Sequence, residues 1–389
     1  MKTAFGLVGR HPLGAVFVST LLSTLPLAAQ RFDVGSDGSL GDVVITTNTT
    51  VDLPPDGRLH YRSLTVNSGA RLNFRRNARN TPVFILSRGD IVVNGVIDVN
   101  GAAGTTTDGG APGPGGFAGG KPGFGTVPAG DGQGPGGGRR GNDTCDSSTW
   151  SGNGAYGNSG NNSPFAPTYG NAVLTPMIGG SGGGGVNGSP GRGGGGGGGA
   201  ILLASNTRIR VNGTIEARGG AGNACFQQLG EGSGGAIRLV ALRVEGNGLL
   251  DVRGPQDRAG RGRIRVDTLE RDGIAFNFQG VSSVGQNLFA LPPVIPRLDT
   301  IEVAGTPFPE GSNPGTVTLP FGASPERTVK IQARDFGRVV PIRVVLTPDS
   351  GPRIEVDAQV DNTTVNPAVV EVPVTFPVNT RVTVHCWTR

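Results

Sequence analysis

ILLASNTRIRVNGTIEA, residues 201–217, decides the fold, because two further copies of its pattern stand at residues 83–99 (VFILSRGDIVVNGVIDV) and 237–252 (IRLVALRVEGNGLLDV). Each copy reads as a short alternating strand, a turn, a second strand, an Asn-Gly pair and a third strand ending in Asp or Glu. A unit of this size cannot bury its own apolar face, whereas stacked units share a continuous core. The expected fold is therefore all-β, a right-handed parallel β-helix or solenoid with one copy per coil. The pairs Asn94-Gly95, Asn212-Gly213 and Asn247-Gly248 fall at the same point of every copy. Both residue types tolerate positive φ and suit a tight corner. Antiparallel hairpins are the rival reading of Asn-Gly, and the fixed order of parts favours stacked coils. Upstream, Leu64, Val66, Leu72 and Phe74 continue the alternation and predict a first coil or a cap.

Glycine-rich sequence follows each copy, at 101–199, 219–235 and 254–262, so the three insertions are expected to leave one corner and lie side by side. Glycine recurs at every third position from Gly179 through Gly182, Gly185, Gly188, Gly191 and Gly194 to Gly197. Three residues per turn is the period of the polyproline II helix, which has no internal hydrogen bonds and can pack laterally where glycine faces the contact. A disordered tether is the alternative for such composition. Past a Pro-rich join at 291–296, glycine thins and about seven short strands return over 297–389. That spacing predicts a β-sandwich of immunoglobulin-like kind.

The 70 glycines and 29 prolines among 389 residues, with only 16% charged residues, set the chain apart from ordinary globular composition. Residues 1–29 carry a basic start (Lys2, Arg10) and an apolar run ending in small residues, the pattern of a secretory signal peptide. The expected address is secreted or cell surface, with no membrane span in the mature chain. The formal charge of +5 falls by two, to +3, without Lys2 and Arg10. The arginines alternate with apolar residues, as in Arg208-Ile209-Arg210-Val211 and Arg263-Ile264-Arg265-Val266, and so read as outward strand positions rather than a nucleic-acid surface.

The strings NGVIDVNG, NGTIEARGG and NGLLDVRG, each leading into a Gly-rich loop, resemble exported bacterial proteins. Those proteins join a pectate-lyase-like parallel β-helix to glycine-rich segments and a terminal immunoglobulin-like module. The resemblance implies a surface or adhesin-like role. Its motifs are generic to β-solenoids and carry over no catalytic signature.

Asp98, Glu216 and Asp251 hold equivalent places in the three copies. A row of carboxylates suits cation binding or the acid and base of a polysaccharide-cleaving enzyme. The simpler reading makes them outward residues beside Ile97, Ile215 and Leu250, neutralised by Arg218 and Arg253. Trp150, Tyr156, Phe165 and Tyr169 cluster in the long insertion. They are candidates for stacking on a sugar or partner, or equally for anchoring the loop. Cys145 and Cys225 lie in two insertions and are expected to form a disulfide if these share a corner, leaving Cys386 unpaired. No CxxC pair supports a zinc site, and no cofactor motif stands in its required context. The expected function is an exported, non-enzymatic surface or matrix protein that binds a glycan or a partner protein. The alternative is a polysaccharide lyase or hydrolase on the same scaffold.

Overall fold

Inward-facing Val, Ile and Leu at alternate positions make the chain up to Gly285 a stack of short parallel strands. The computed structural model describes residues 32–142, 151–160, 166–188, 190–222 and 230–389. Its strands begin with β1 (Asp42–Ile45), β2 (Thr49–Asp52), β3 (Arg58–Tyr61), β4 (Ser63–Val66) and β5 (Arg71–Arg75). They continue with β6 (Val83–Ser87), β7 (Ile91–Val93), β8 (Val96–Asp98), β9 (Ala200–Val211) and β10 (Thr214–Glu216). Next come β11 (Ala236–Glu245), β12 (Leu249–Asp251), β13 (Arg263–Glu270), β14 (Asn277–Gln279) and β15 (Val281–Gly285). One sheet runs β1-β4-β7-β9-β11-β13-β15, with β6 beside β9 and β3 beside β6. The other runs β2-β5-β8-β10-β12-β14. Every pairing in both is parallel, so the Asn-Gly pairs are not hairpin turns.

Register places like on like. Leu72, Ile97, Ile215, Leu250 and Phe278 are successive partners along the second sheet. Leu64, Ile91, Ile209 and Val244 do the same along the first. These residues, apart from the half-buried Phe278, have no exposed surface and belong to one apolar cluster between the sheets. Each such side chain contributes about 1.5–3 kcal/mol by burial.

The Asn-Gly corners work differently from the expectation. None of Gly95, Gly213 or Gly248 has positive φ. A Cβ on Gly213 would instead sit less than 3.0 Å from the Gly95 carbonyl, and one on Gly248 equally close to that of Gly213. Glycine is required there because successive corners stack backbone on backbone. The Asn212 amide donates to Asn94 Oδ1 at 3.0 Å, one rung of an asparagine ladder.

The outward face of the first sheet is partly covered. Phe32, Val34, Leu288, Ala290 and Leu291 pack on Leu86, Leu202, Ala204 and Val240. Arg265, expected at a solvated outward position, is 9% exposed: it is ion-paired with the fully buried Asp267 and lies against Ser283 of β15.

The remaining strands are β16 (Arg297–Val303), β17 (Thr306–Pro307), β18 (Gly315–Thr318), β19 (Glu326–Arg334), β20 (Val339–Pro348), β21 (Ile354–Asp361), β22 (Ala368–Thr375) and β23 (Arg381–Thr388). They form two antiparallel sheets, β17-β16-β19-β22 and β18-β23-β20-β21. Val303, Val329, Ile331 and Val372 of one and Val344, Leu346, Val360 and Val384 of the other share a single core. The whole described chain is thus all-β, and among the described residues no helix is long and apolar enough to cross a membrane.

Candidate functional site

The glycine-rich insertions carry few side chains, and their ordering rests on the backbone. Residues 193–199 run through the middle and are buried throughout. Gly193, Gly196 and Gly199 donate N–H to Thr105, Ala102 and Val99 carbonyls. Gly194 and Gly197 donate to Gly120 and Phe117, while Gly195 and Gly198 donate to Gly230 and Ser233. The donor direction therefore repeats every third residue. Carbonyls of the same run accept from three further segments, through Gly110 and Gly113, Gly180 and Gly183, and Gly220. One strand is held by six neighbours drawn from the first two insertions. The third joins through Gly234 N–H donating to the Gly260 carbonyl at 2.9 Å. None of the glycines from 193 to 199 has positive φ, so conformational freedom is not their purpose. A Cβ on any of them would lie less than 3.0 Å from a neighbouring backbone atom.

Aromatic side chains seal the edges of this bundle. Tyr156 is fully buried and stacks on Tyr169 at 4.5 Å, beside Leu174, Ala200 and Ala236. Tyr169 Oη donates to the Gly179 carbonyl at 2.6 Å and accepts from Ser181 Oγ at 3.0 Å. Burial raises the pKa of both phenols. Tyr156 and Tyr169 therefore anchor the insertion, and Tyr156 presents no surface to a ligand. Trp150 and Phe165 lie outside the described residues, as do Cys145 and Cys225. Cys386 is free and buried, and burial pushes its thiol far up.

The three carboxylates come together as the copies predict, with Glu216 in register between Asp98 and Asp251. Arginines occupy them. Arg71 Nη1 lies 2.5 Å from Asp98 Oδ2 and 3.1 Å from Glu216 Oε2, and Asn100 Nδ2 donates to the latter at 3.0 Å. Asp251, 2% exposed, holds Arg253 through both oxygens at 2.8 and 2.9 Å, with Arg218 at 3.6 Å. A row of ion pairs offsets the charge of the three carboxylates. Among the described residues there is no cluster of three or more His, Cys, Asp or Glu that could hold a metal.

The bundle also fastens the C-terminal sheets. Gly351 N–H donates to the Ala129 carbonyl at 3.1 Å, and Arg353 N–H to Asp131 Oδ2 at 3.0 Å. Lys121 bridges Asp108 and Asp349, at 3.5 and 3.3 Å. Phe117 meets His385 edge-on at 5.3 Å and Trp387 at 6.4 Å. Burial pushes the His385 pKa down to about 4, so the imidazole is neutral and packed, not a base on a surface.

Sequence reasoning passes over Glu231, whose only signal is a charge inside a glycine run. It is fully buried, and among the described residues neither carboxylate oxygen has a hydrogen-bond partner of ordinary geometry. Burial raises its pKa from 4.5 to about 7, offset in part by Arg258 and the Ala259 N–H. A carboxyl whose proton is held more tightly when folded adds stability below its unfolded pKa, and loses it as pH rises through the folded value. Glu231→Gln is therefore expected to be more stable than the parent at pH 8, by about 2 kcal/mol after allowing for solvent screening. The difference should vanish below pH 4, and urea denaturation at the two pH values checks it. An equal difference at both would refute the assignment.

The chain matches no family model, no curated protein and no solved structure.

Proposed function

We propose that this chain is an exported, non-enzymatic surface or matrix protein. In this reading the parallel strands form a right-handed β-solenoid acting as a rigid stalk. The glycine-rich insertions form a polyproline-II-like bundle along one flank, whose loops bind a glycan or partner protein, and the C-terminal sheets form an immunoglobulin-like sandwich. The observation that carries it is the run 193–199, hydrogen-bonded with period three to its neighbours and buried throughout. A construction made of backbone supplies stiffness and few reactive groups. The ion-paired state of Asp98, Glu216 and Asp251 favours a structural role for the acidic row over acid–base cleavage.

Contact with the ligand is assigned to the long insertion. Trp150 and Phe165 are the aromatic candidates left there once Tyr156 and Tyr169 are assigned to the interior. A glycan array run beside a polysaccharide-cleavage assay on the secreted chain tests the proposal. Retention of a glycan without new reducing or unsaturated ends is expected, with retention weakened by Trp150→Ala or Phe165→Ala. Product formation that disappears in Asp98→Asn or Glu216→Gln would replace this reading with a lyase or hydrolase.

A further inference from the structure

The two parallel sheets end as they begin, with a strand paired on one side only. At one end these are β1 and β2, and at the other β15 and β14. Among the described residues no further strand pairs beyond either end, and several apolar side chains there are less enclosed than those one layer in. On β15, Val284 is partnered with Val266, which has no exposed surface, yet Val284 itself is 40% exposed. Phe278 of β14 is only half-buried although its partner Leu250 is fully enclosed. The other end mirrors this: Val43 of β1 and Thr49 of β2 are half-buried, while their partners Leu64 and Leu72 one layer in have no exposed surface.

Edge strands are ordinarily blunted by lysine, proline or a bulge. β14 (Asn-Phe-Gln) and β15 (Val-Ser-Ser-Val-Gly) contain neither a charged residue nor proline. The strip that follows, through Phe289, Ala290 and Leu291, turns onto the outward face of the first sheet instead of across this edge. A single added strand would extend one sheet and leave the other open. Extending both requires two strands, each parallel to the strand it joins, on either side of an apolar centre. The opposite end of this same chain has that form, with Val43 and Ile45 inward on β1 and Thr49 inward on β2.

We infer that the β14–β15 end docks on the β1–β2 end of a second copy, continuing both sheets across the junction. Such a contact is head-to-tail and does not close on itself, so it propagates into linear particles. The inference rests on the coil-stacking reading above but not on glycan or partner binding.

Sedimentation velocity on the secreted full chain over about a hundredfold range of concentration, with negative-stain microscopy, tests it. The expected result is a weight-average mass that rises at least about twofold, with linear particles. Val284→Lys and Ser282→Lys, each checked for an unchanged circular dichroism spectrum, place a charge on the inward side of β15 and should remain monomeric. Mixed into the parent, either one keeps its β1–β2 end and should shorten the particles. A parent that stays monomeric throughout, or oligomers indifferent to both substitutions, would overturn the inference. Assembly is read without any ligand, so a blank glycan array leaves this result standing.

Discussion

Gly197→Ala is expected to destabilise the chain by at least about 4 kcal/mol, or to prevent its secretion in folded form. The added methyl would lie less than 3.0 Å from the Gly180 carbonyl and from the Ser181 nitrogen. Both belong to a backbone segment that is itself hydrogen-bonded, so neither can retreat. Gly180 donates to the Gly198 carbonyl, and Gly197 to that of Phe117. Separating the segments to admit a methyl breaks these bonds and strands buried backbone groups. The proper comparison is Gly41→Ala. Gly41 has φ +70° and nothing within 4 Å of the place a Cβ would take, so the change costs only backbone strain, about 1–2 kcal/mol. Chemical denaturation of the two variants separates the effects. Equal loss from both would mean that close approach is not why glycine occupies position 197.

Arg238→Met carries the second large effect, a loss of about 3–5 kcal/mol. Arg238 is 1% exposed, with Nη2 at 3.2 Å from the fully buried Asp267. Its guanidinium also donates to the Phe289 carbonyl at 3.0 Å and lies 4.7 Å from the centre of the Phe289 ring. Burial lowers its pKa, opposed by Asp267. Methionine keeps most of the volume but takes the Arg238 donors from Asp267 Oδ2, leaving Arg265 at 2.6 Å and the Asn287 N–H at 3.0 Å on Oδ1, and removes the donors for the covering strip. The strip should loosen with the loss of stability, so faster proteolysis after residues 286–291 is expected alongside an earlier denaturation midpoint. A variant within about 1 kcal/mol of the parent and equally resistant to protease would show that the pair is not holding the strip.

Local pattern and register are readable wherever a repeat exists. The three copies align Ile97, Ile215 and Leu250, and the sheet pairs those residues. The same alignment puts Asp98, Glu216 and Asp251 in one row. Their partners are half legible: Arg218 and Arg253 stand near in sequence, whereas Arg71, which holds two of the three, comes from an earlier coil. Tyr156 and Tyr169 are ambiguous in sequence because an aromatic residue in a loop reads alike whether it points out or in. Arg265 reads wrongly as solvated because outward on a strand means exposed only if no partner on that face encloses it.

Period-two alternation, the repeated unit and glycine at every third position follow from intrinsic backbone and side-chain preferences, and these are written in the sequence alone. Which segments surround residues 193–199, which strip covers Arg238, and how deeply the Glu231 carboxyl is buried depend on chain brought together from far apart. Those outcomes belong to the tertiary structure, because burial and ion pairing are properties of a site's surroundings and a residue's neighbours in sequence do not supply them.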